Sequence, residues 1–217
     1  MAIFEILWYD RILLIDGVIS TVHIAFMSLI LSLFGGIIFG FLRVIKNPIS
    51  FFITTIYLEA FRIIPLIVWL FAVFFTIPRF MGGGFSGPVA AILVFTAWGS
   101  AEMGEMLRAA LVSLPKIQKE SAASLGLDPL QTFFYVLVPQ AFKRMMPGVI
   151  NMATRLIKTT SITTLVGVME LFARGGQIIQ RTHEPFAIYV FIFFFFFFLC
   201  YPLTLLSRYL ERKGVIS

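Results

Sequence analysis

Residues 17–42 read GVISTVHIAFMSLILSLFGGIIFGFL, a run of 26 residues that contains no charged side chain. A helix needs about 20 predominantly apolar residues to cross the hydrocarbon core of a bilayer. The whole chain has the same character, because 59% of its 217 residues are hydrophobic and only 13% are charged. In soluble domains about a quarter of the residues are charged. The sequence therefore predicts an all-α membrane protein.

Four further segments have the length and composition of spans, which predicts a single polytopic transmembrane helical bundle of about five spans over residues 1–217. They cover residues 47–78, 81–101 with a continuation towards 111, 147–171 and 185–206. The second segment is too long for one perpendicular helix, so part of it is expected to lie along the membrane interface. The fourth contains Arg155 and Lys158. His23, in the first span, is expected to be buried and hydrogen-bonded.

Basic residues are concentrated in the loops that would lie on one side of the membrane. If the segment between the third and fourth spans is cytoplasmic, ten basic residues lie inside and four outside, as the positive-inside rule requires. The ten are Arg43, Lys46, Arg108, Lys116, Lys119, Lys143, Arg144, Arg208, Arg212 and Lys213, and the four are Arg11, Arg79, Arg174 and Arg181. This predicts an outer N-terminus and a cytoplasmic C-terminus. It explains the net charge of +6 without nucleic acid binding.

The predicted cytoplasmic segment, residues 115–143, is the long stretch that is neither apolar nor a simple turn. Pro115 stands where the first turn of a helix tolerates proline, and Gly126 is a suitable C-terminal cap. Asp128 and Pro129 then open a second short helix. The pattern predicts a short helix, a tight turn in which Gly126 adopts a positive φ, and another short helix.

The spacing of this segment resembles the EAA loop of ABC importer permeases. Glu120-Ser121-Ala122 is followed by three residues and Gly126, and nine more lead to a Val-Leu-Val-Pro sequence at residues 136–139. Other stretches resemble the polar amino acid branch of that family. They are residues 57–66 (YLEAFRIIPL), 105–108 (EMLR), 137–141 (LVPQA) and 158–162 (KTTSI), with Thr159 where Asp is usual.

This resemblance implies a bacterial inner-membrane permease that forms the pathway for polar amino acids. A cytoplasmic ABC ATPase dimer would supply the energy, and an extracytoplasmic binding protein would deliver the substrate. The resemblance also implies that Glu120, Ser121, Ala122 and Gly126 form the element that contacts the ATPase. The chain has no Gly-x-x-x-x-Gly-Lys-Ser/Thr motif, so ATP and Mg²⁺ are expected on the ATPase and no cofactor or enzymatic activity on this chain.

Ionisable residues inside spans are candidates for function. Glu59 with Arg62, and Glu105 with Arg108, are three residues apart and are expected to neutralise each other. Glu102 and Arg155 depart from the family pattern. Glu102 would accept a substrate ammonium or cationic side chain and Arg155 would bind a carboxylate, or the two would form an ion pair between the third and fourth spans. The further candidate substrate contacts are Arg62 and Lys158.

Two other functions compete with an ABC permease. An ion-driven secondary carrier could use the carboxylates inside the spans, although five spans leave no room for an inverted repeat. A membrane enzyme is disfavoured because no catalytic set of residues is evident. Five spans are few for a pathway, so a second permease copy or a paralogue is expected. The substrate stays open: Arg155 favours acidic or neutral amino acids, whereas Glu102 favours cationic ones.

Overall fold

The structure, a computed structural model, describes residues 3–45 and 47–216. Lys46, counted above among the cytoplasmic basic residues, lies outside them. The regular elements of the described part are all helical, which confirms the all-α prediction. In chain order they are α1 (Ile3–Tyr9), α2 (Arg11–Val44), α3 (Pro48–Ile63), α4 (Leu66–Phe71), a π-helical turn (Ala72–Thr76), α5 (Ile77–Met81), α6 (Gly87–Val112), α7 (Lys116–Ser124), α8 (Pro129–Gln131), a second π-helical turn (Thr132–Leu137), α9 (Val138–Thr159), a 3-10 helix (Thr160–Val166), α10 (Leu171–Thr182) and α11 (Pro185–Ile216).

Among the described residues, α2 and α11 are long and apolar enough to cross a membrane on their own. Two bent pairs raise the number to four: Pro48–Ile63 with Leu66–Phe80, and Pro129–Val166 with Leu171–Thr182. The 26-residue helix α6 is outside this set although it has the length of a span. It packs between α2 and α9 and includes the polar residues described below. The prediction of about five spans is roughly consistent with this arrangement.

The second predicted span is broken. Its two halves meet at 104°, and α3 ends where Ile64 adopts an extended conformation immediately before Pro65. A proline disfavours helical backbone in the residue that precedes it, which accounts for the break at this position. Because the segment is bent, it can contain more residues than one perpendicular helix.

Among the described residues, helices α2 and α6 form the most extensive contact between two helices. They run parallel, since Gly36 lies beside Met103 and Gly40 beside Leu107. Glycines permit this close approach. A Cβ atom on Gly36 would lie 2.6 Å from Cβ of Met103, and one on Gly40 would lie 2.9 Å from Cδ2 of Leu107. Small residues commonly line such contacts between membrane helices.

One prediction about the first span is wrong, and the helix of the fourth predicted span begins before the predicted segment. Pro147, the first residue of that segment, lies inside α9. Proline removes one backbone donor from the helix at this position. The carbonyl of Pro147 accepts a hydrogen bond of 3.0 Å from Ser207 Oγ, which joins α9 to α11. The helix of this span ends with the 3-10 helix Thr160–Val166, before Gly167, which has φ 77°. His23 is exposed, because it lies off the face of α2 that packs inside the bundle.

Candidate functional site: coupling helix and charged cluster

The predicted turn at Gly126 is present. Gly126 has φ 81°, in the left-handed region that residues with a Cβ rarely adopt. Its N–H donates to the carbonyl of Ala123 at 2.9 Å, and the N–H of Leu127 donates to the carbonyl of Ala122 at 3.1 Å. These two bonds satisfy the carbonyls at the end of α7 in a Schellman motif. The prediction that Gly126 adopts a positive φ is confirmed.

The next helix begins as predicted but is not short. Asp128 caps it by accepting from the N–H of Gln131 at 2.8 Å, and the Gln131 side chain accepts from the N–H of Asp128. Pro129 occupies the first turn. From there the helix continues through the second π-helical turn into α9 and reaches Thr159. The predicted second short helix is therefore wrong, because the chain remains helical through the π-helical turn and past Pro139.

The predicted coupling residues divide into an outer and an inner group. Glu120, Ser121 and Gly126 are exposed, whereas Ala122 is only 3% exposed and packs against the chain itself. Thus Ala122 positions the helix and cannot meet a partner directly. Large apolar side chains are exposed nearby, with Leu125 at 81%. A short helix with exposed small and apolar residues forms a surface to which another protein can bind.

Helix α9 makes polar contacts with α7 and with the end of α6. Gln140 Nε2 on α9 donates to Oε1 of Gln118 at 3.1 Å. Arg144, one turn further along α9, donates to the carbonyl and the hydroxyl of Ser113 at 3.0 and 3.1 Å, at the end of α6. A displacement of α7 therefore acts directly on α9.

A charged cluster brings together the candidate substrate residues on α3, α6 and α9. Glu102 Oε1 lies 3.3 Å from Nε of Arg62, and Glu102 Oε2 lies 3.7 Å from a guanidinium nitrogen of Arg155. Arg62 also pairs with Glu59 at 3.5 Å, as predicted from the sequence. The Arg155 guanidinium stacks over the ring of Trp98, 4.8 Å from its centroid. The two arginine side chains are 43% and 47% exposed, against 16% for Glu102.

Lys158, one turn beyond Arg155, lines two cavities. The first, of about 550 Å³, lies at the charged cluster, and the second, of about 530 Å³, lies against the aromatic face of α11. Lys158 therefore borders the cluster without joining its ion pairs: among the described residues, no carboxylate forms a salt bridge with it.

Several charged contacts could not be identified from the sequence. Glu105 pairs with Arg108 at 2.7 Å as predicted, but it also pairs at 2.7 Å with Arg43, which is buried. The charge count had treated Arg43 only as a basic residue of the cytoplasmic side. No local motif links Arg43 to Glu105, since the contact joins two helices more than 60 residues apart in sequence.

Two further contacts lie near α10. Asp10 forms an ion pair with Arg181. Glu170 is fully buried and caps α10, because its carboxylate accepts from the N–H groups of Phe172 and Ala173 and from Thr164 Oγ1. Glutamate is not among the residues that usually cap a helix, so the sequence carried no signal for this role.

Metal binding finds no support in residues 3–45 and 47–216, where no group of three His, Cys, Asp or Glu side chains could hold an ion. The charged cluster itself offers ion pairs and hydrogen bonds beside an open cavity. Such a site can bind and release a polar solute.

Comparison with known proteins gives one family. Residues 32–214 match the family described as "Binding-protein-dependent transport system inner membrane component". The chain is 35% identical over 200 residues to the probable glutamine ABC transporter permease protein GlnP of Bacillus subtilis, covering 90% of this chain and 91% of that protein. It is 30% identical over 202 residues to the L-cystine transport system permease protein TcyB of the same organism, covering 93% and 86%.

Solved structures agree on the fold. The crystal structure of an amino acid ABC transporter with histidines contains a chain that superposes with a TM-score of 0.88 at 23% identity, covering 98% of this chain and 99% of that one. These findings favour an ABC permease over an ion-driven carrier. The chain belongs to the family of inner-membrane components of binding-protein-dependent transport systems, the non-catalytic permease subunits of ABC importers, in which a partner ATPase hydrolyses ATP.

Proposed function

We propose that this permease imports polar amino acids, and that Arg62, Glu102, Arg155 and Lys158 line its translocation pathway. The observation that carries the proposal is the exposure of this cluster on a bundle whose other surfaces are largely apolar. Charged groups at membrane depth are costly when they face lipid. A pathway shared with a second permease, either an identical copy or a paralogue, would give these side chains water and substrate instead.

Glu102 and Arg155 suit the two ends of an amino acid. A guanidinium can hold a carboxylate by two parallel hydrogen bonds, and a carboxylate can accept from an ammonium. In the structure the two groups face each other at 3.7 Å. We therefore propose that they form an ion pair between transport events and exchange partners when substrate enters. Relatives named for glutamine and L-cystine support polar amino acids as the substrate class.

The energy of ATP hydrolysis would be transmitted to the permease through α7. We propose that Glu120, Ser121 and the turn at Gly126 bind in a cleft of a cytoplasmic ATPase dimer, which would hold ATP and Mg²⁺. The exposed Ile117 and Leu125 would add apolar contact area. This orientation places the C-terminus in the cytoplasm and the N-terminus outside, in agreement with the distribution of basic residues. The amino-acid-binding protein would then dock on the outer face.

The experiment is co-purification of the permease with its ATPase from membranes. Gly126→Val should abolish retention of the ATPase, because a β-branched residue opposes a positive φ. Gly126→Asn is the matched control, since asparagine adopts the left-handed conformation more readily and should retain the ATPase. Both variants should insert into the membrane in wild-type amounts. Equal retention by the two variants would contradict the proposed role of the turn.

A further inference from the structure

The charged side chains that line the cavity at the charged cluster are all positive. Its lining residues are Leu66, Ile67, Trp98, Arg155, Lys158, Thr159 and Ile162. Two of them are cations and none is a carboxylate. The other lining side chains are apolar except for the indole N–H of Trp98 and the hydroxyl of Thr159, which donates to the carbonyl of Arg155 at 2.7 Å.

The charges around the cavity are not equally available to a ligand. Glu102 already faces two guanidiniums, those of Arg62 and Arg155, on its two oxygens. Arg155 is held between Glu102 and the ring of Trp98. Lys158 has no salt-bridge partner among the described residues, although its side chain is exposed to the cavity. The ammonium of Lys158 is therefore the charge that a ligand can neutralise.

We infer that the cavity favours acidic amino acids over cationic ones, and that Lys158 is the residue that determines this preference. This inference rests on the proposed function of the cluster as the pathway. An acidic amino acid carries two carboxylates, one for Arg155 and one for Lys158. A cationic amino acid would bring a second positive charge to a cluster in which Arg62, Arg155 and Lys158 already outnumber Glu59 and Glu102.

The position of Lys158 permits a purely structural role as well. It lies in the last turn of α9, where a cation interacts favourably with the carbonyl ends of the helix. That role does not depend on which amino acid is bound. The dependence of binding on substrate charge therefore separates the two roles.

The test uses the purified permease–ATPase complex in lipid nanodiscs, without the binding protein, so that any selectivity belongs to the membrane complex. Binding of labelled L-glutamate, L-glutamine and L-arginine is compared in wild type, Lys158→Gln and Lys158→Arg. Lys213→Gln, which removes the same charge at the far end of α11, is the matched control.

The expected result is that wild type binds glutamate more tightly than arginine. Lys158→Gln should weaken glutamate binding about tenfold or more, the effect of losing one charge-assisted hydrogen bond, and should leave arginine binding no weaker. Lys158→Arg should retain the preference, and Lys213→Gln should match wild type.

Equal affinity of wild type for glutamate and arginine would overturn the inference, and so would an equal loss for all three ligands in Lys158→Gln or no binding at all. ATP-dependent uptake of amino acids by the same preparation, with binding protein added, separates these failures from failure of the proposed function. If uptake occurs without a charge preference at the cavity, only the role of Lys158 falls. If uptake is absent and the ATPase is not retained, the proposed function falls.

Discussion

Gln140 on α9 donates a hydrogen bond to Gln118 on α7, with 3.1 Å between Nε2 and Oε1. The same helix continues to Thr159 and carries Arg155 near its end. The 15 residues from Gln140 to Arg155 extend about 22 Å at the rise of an α-helix. One helix therefore joins the surface proposed for the ATPase to the charged cluster proposed for the substrate.

Gln140→Ala should uncouple ATP hydrolysis from transport. The exposed residues of α7 remain, so the ATPase should still bind, but one partly buried hydrogen bond worth about 1 kcal/mol is lost. We expect the ratio of amino acid transported to ATP hydrolysed to fall several-fold in proteoliposomes. Ser124→Ala, which removes only a local bond to the carbonyl of Glu120, is the control. An unchanged ratio in Gln140→Ala would show that this contact transmits nothing.

Arg155→Ala should abolish most uptake and leave assembly intact. Glu102 would keep Arg62 as a partner, and ion pairs this exposed contribute about 1 kcal/mol or less to stability. We expect a wild-type yield of the permease–ATPase complex, a melting temperature close to wild type, and uptake reduced about tenfold or more. If the complex no longer assembles, the Glu102–Arg155 pair serves to hold α6 and α9 together.

Gly36→Ala should destabilise the contact between α2 and α6. The added Cβ would lie 2.6 Å from Cβ of Met103 and 3.3 Å from the backbone N of Gly104. Overpacking of this kind costs about 1–3 kcal/mol. Thermal unfolding in detergent should therefore begin at a lower temperature than in wild type. The control is Gly83→Ala, because a Cβ there meets no atom within 4 Å. Equal melting temperatures of the two variants would show that the added Cβ at residue 36 does not destabilise the contact between α2 and α6.

Glu170→Leu should destabilise the start of α10. The substitution leaves the N–H groups of Phe172 and Ala173 and the hydroxyl of Thr164 without their acceptor. Loss of a helix cap costs about 0.5–2 kcal/mol, and unsatisfied buried donors add to it. Glu170→Gln keeps one acceptor oxygen and should lose less stability. The comparison is again by thermal unfolding, and a reversed order of the two variants would contradict the capping role.

The sequence predicted best where structure is determined by neighbouring residues. Gly126 and the Asp128-Pro129 pair specify a turn and a helix start by local backbone preferences, and both lie where they were expected. The break in the second span also has a local cause in Pro65, although the sequence analysis predicted only that this segment is too long for one perpendicular helix. In each case the physical cause acts over a few residues, so one sequence is sufficient to identify it.

Predictions failed where the outcome depends on packing between distant segments. His23 was expected to be buried, but it is exposed because its face of α2 meets no other helix among the described residues. The burial of Arg43 beside Glu105 of another helix was not predicted. The fourth span was predicted at residues 147–171, whereas α9 begins at Val138 and includes Pro147 as an internal residue. The cluster was identified only in part. An ion pair between Glu102 and Arg155 was one of the two alternatives for these residues, whereas the contact of Arg62 with Glu102 could be recognised only in the folded structure.

The central claim is that this chain moves amino acids with energy from a partner ATPase. The direct measurement is uptake of labelled amino acid into proteoliposomes that contain the permease, its ATPase and its binding protein, with ATP supplied on the ATPase side or with an ion gradient alone. We predict uptake with ATP and none with a sodium or proton gradient in its absence. Uptake driven by an ion gradient without ATP would contradict the account.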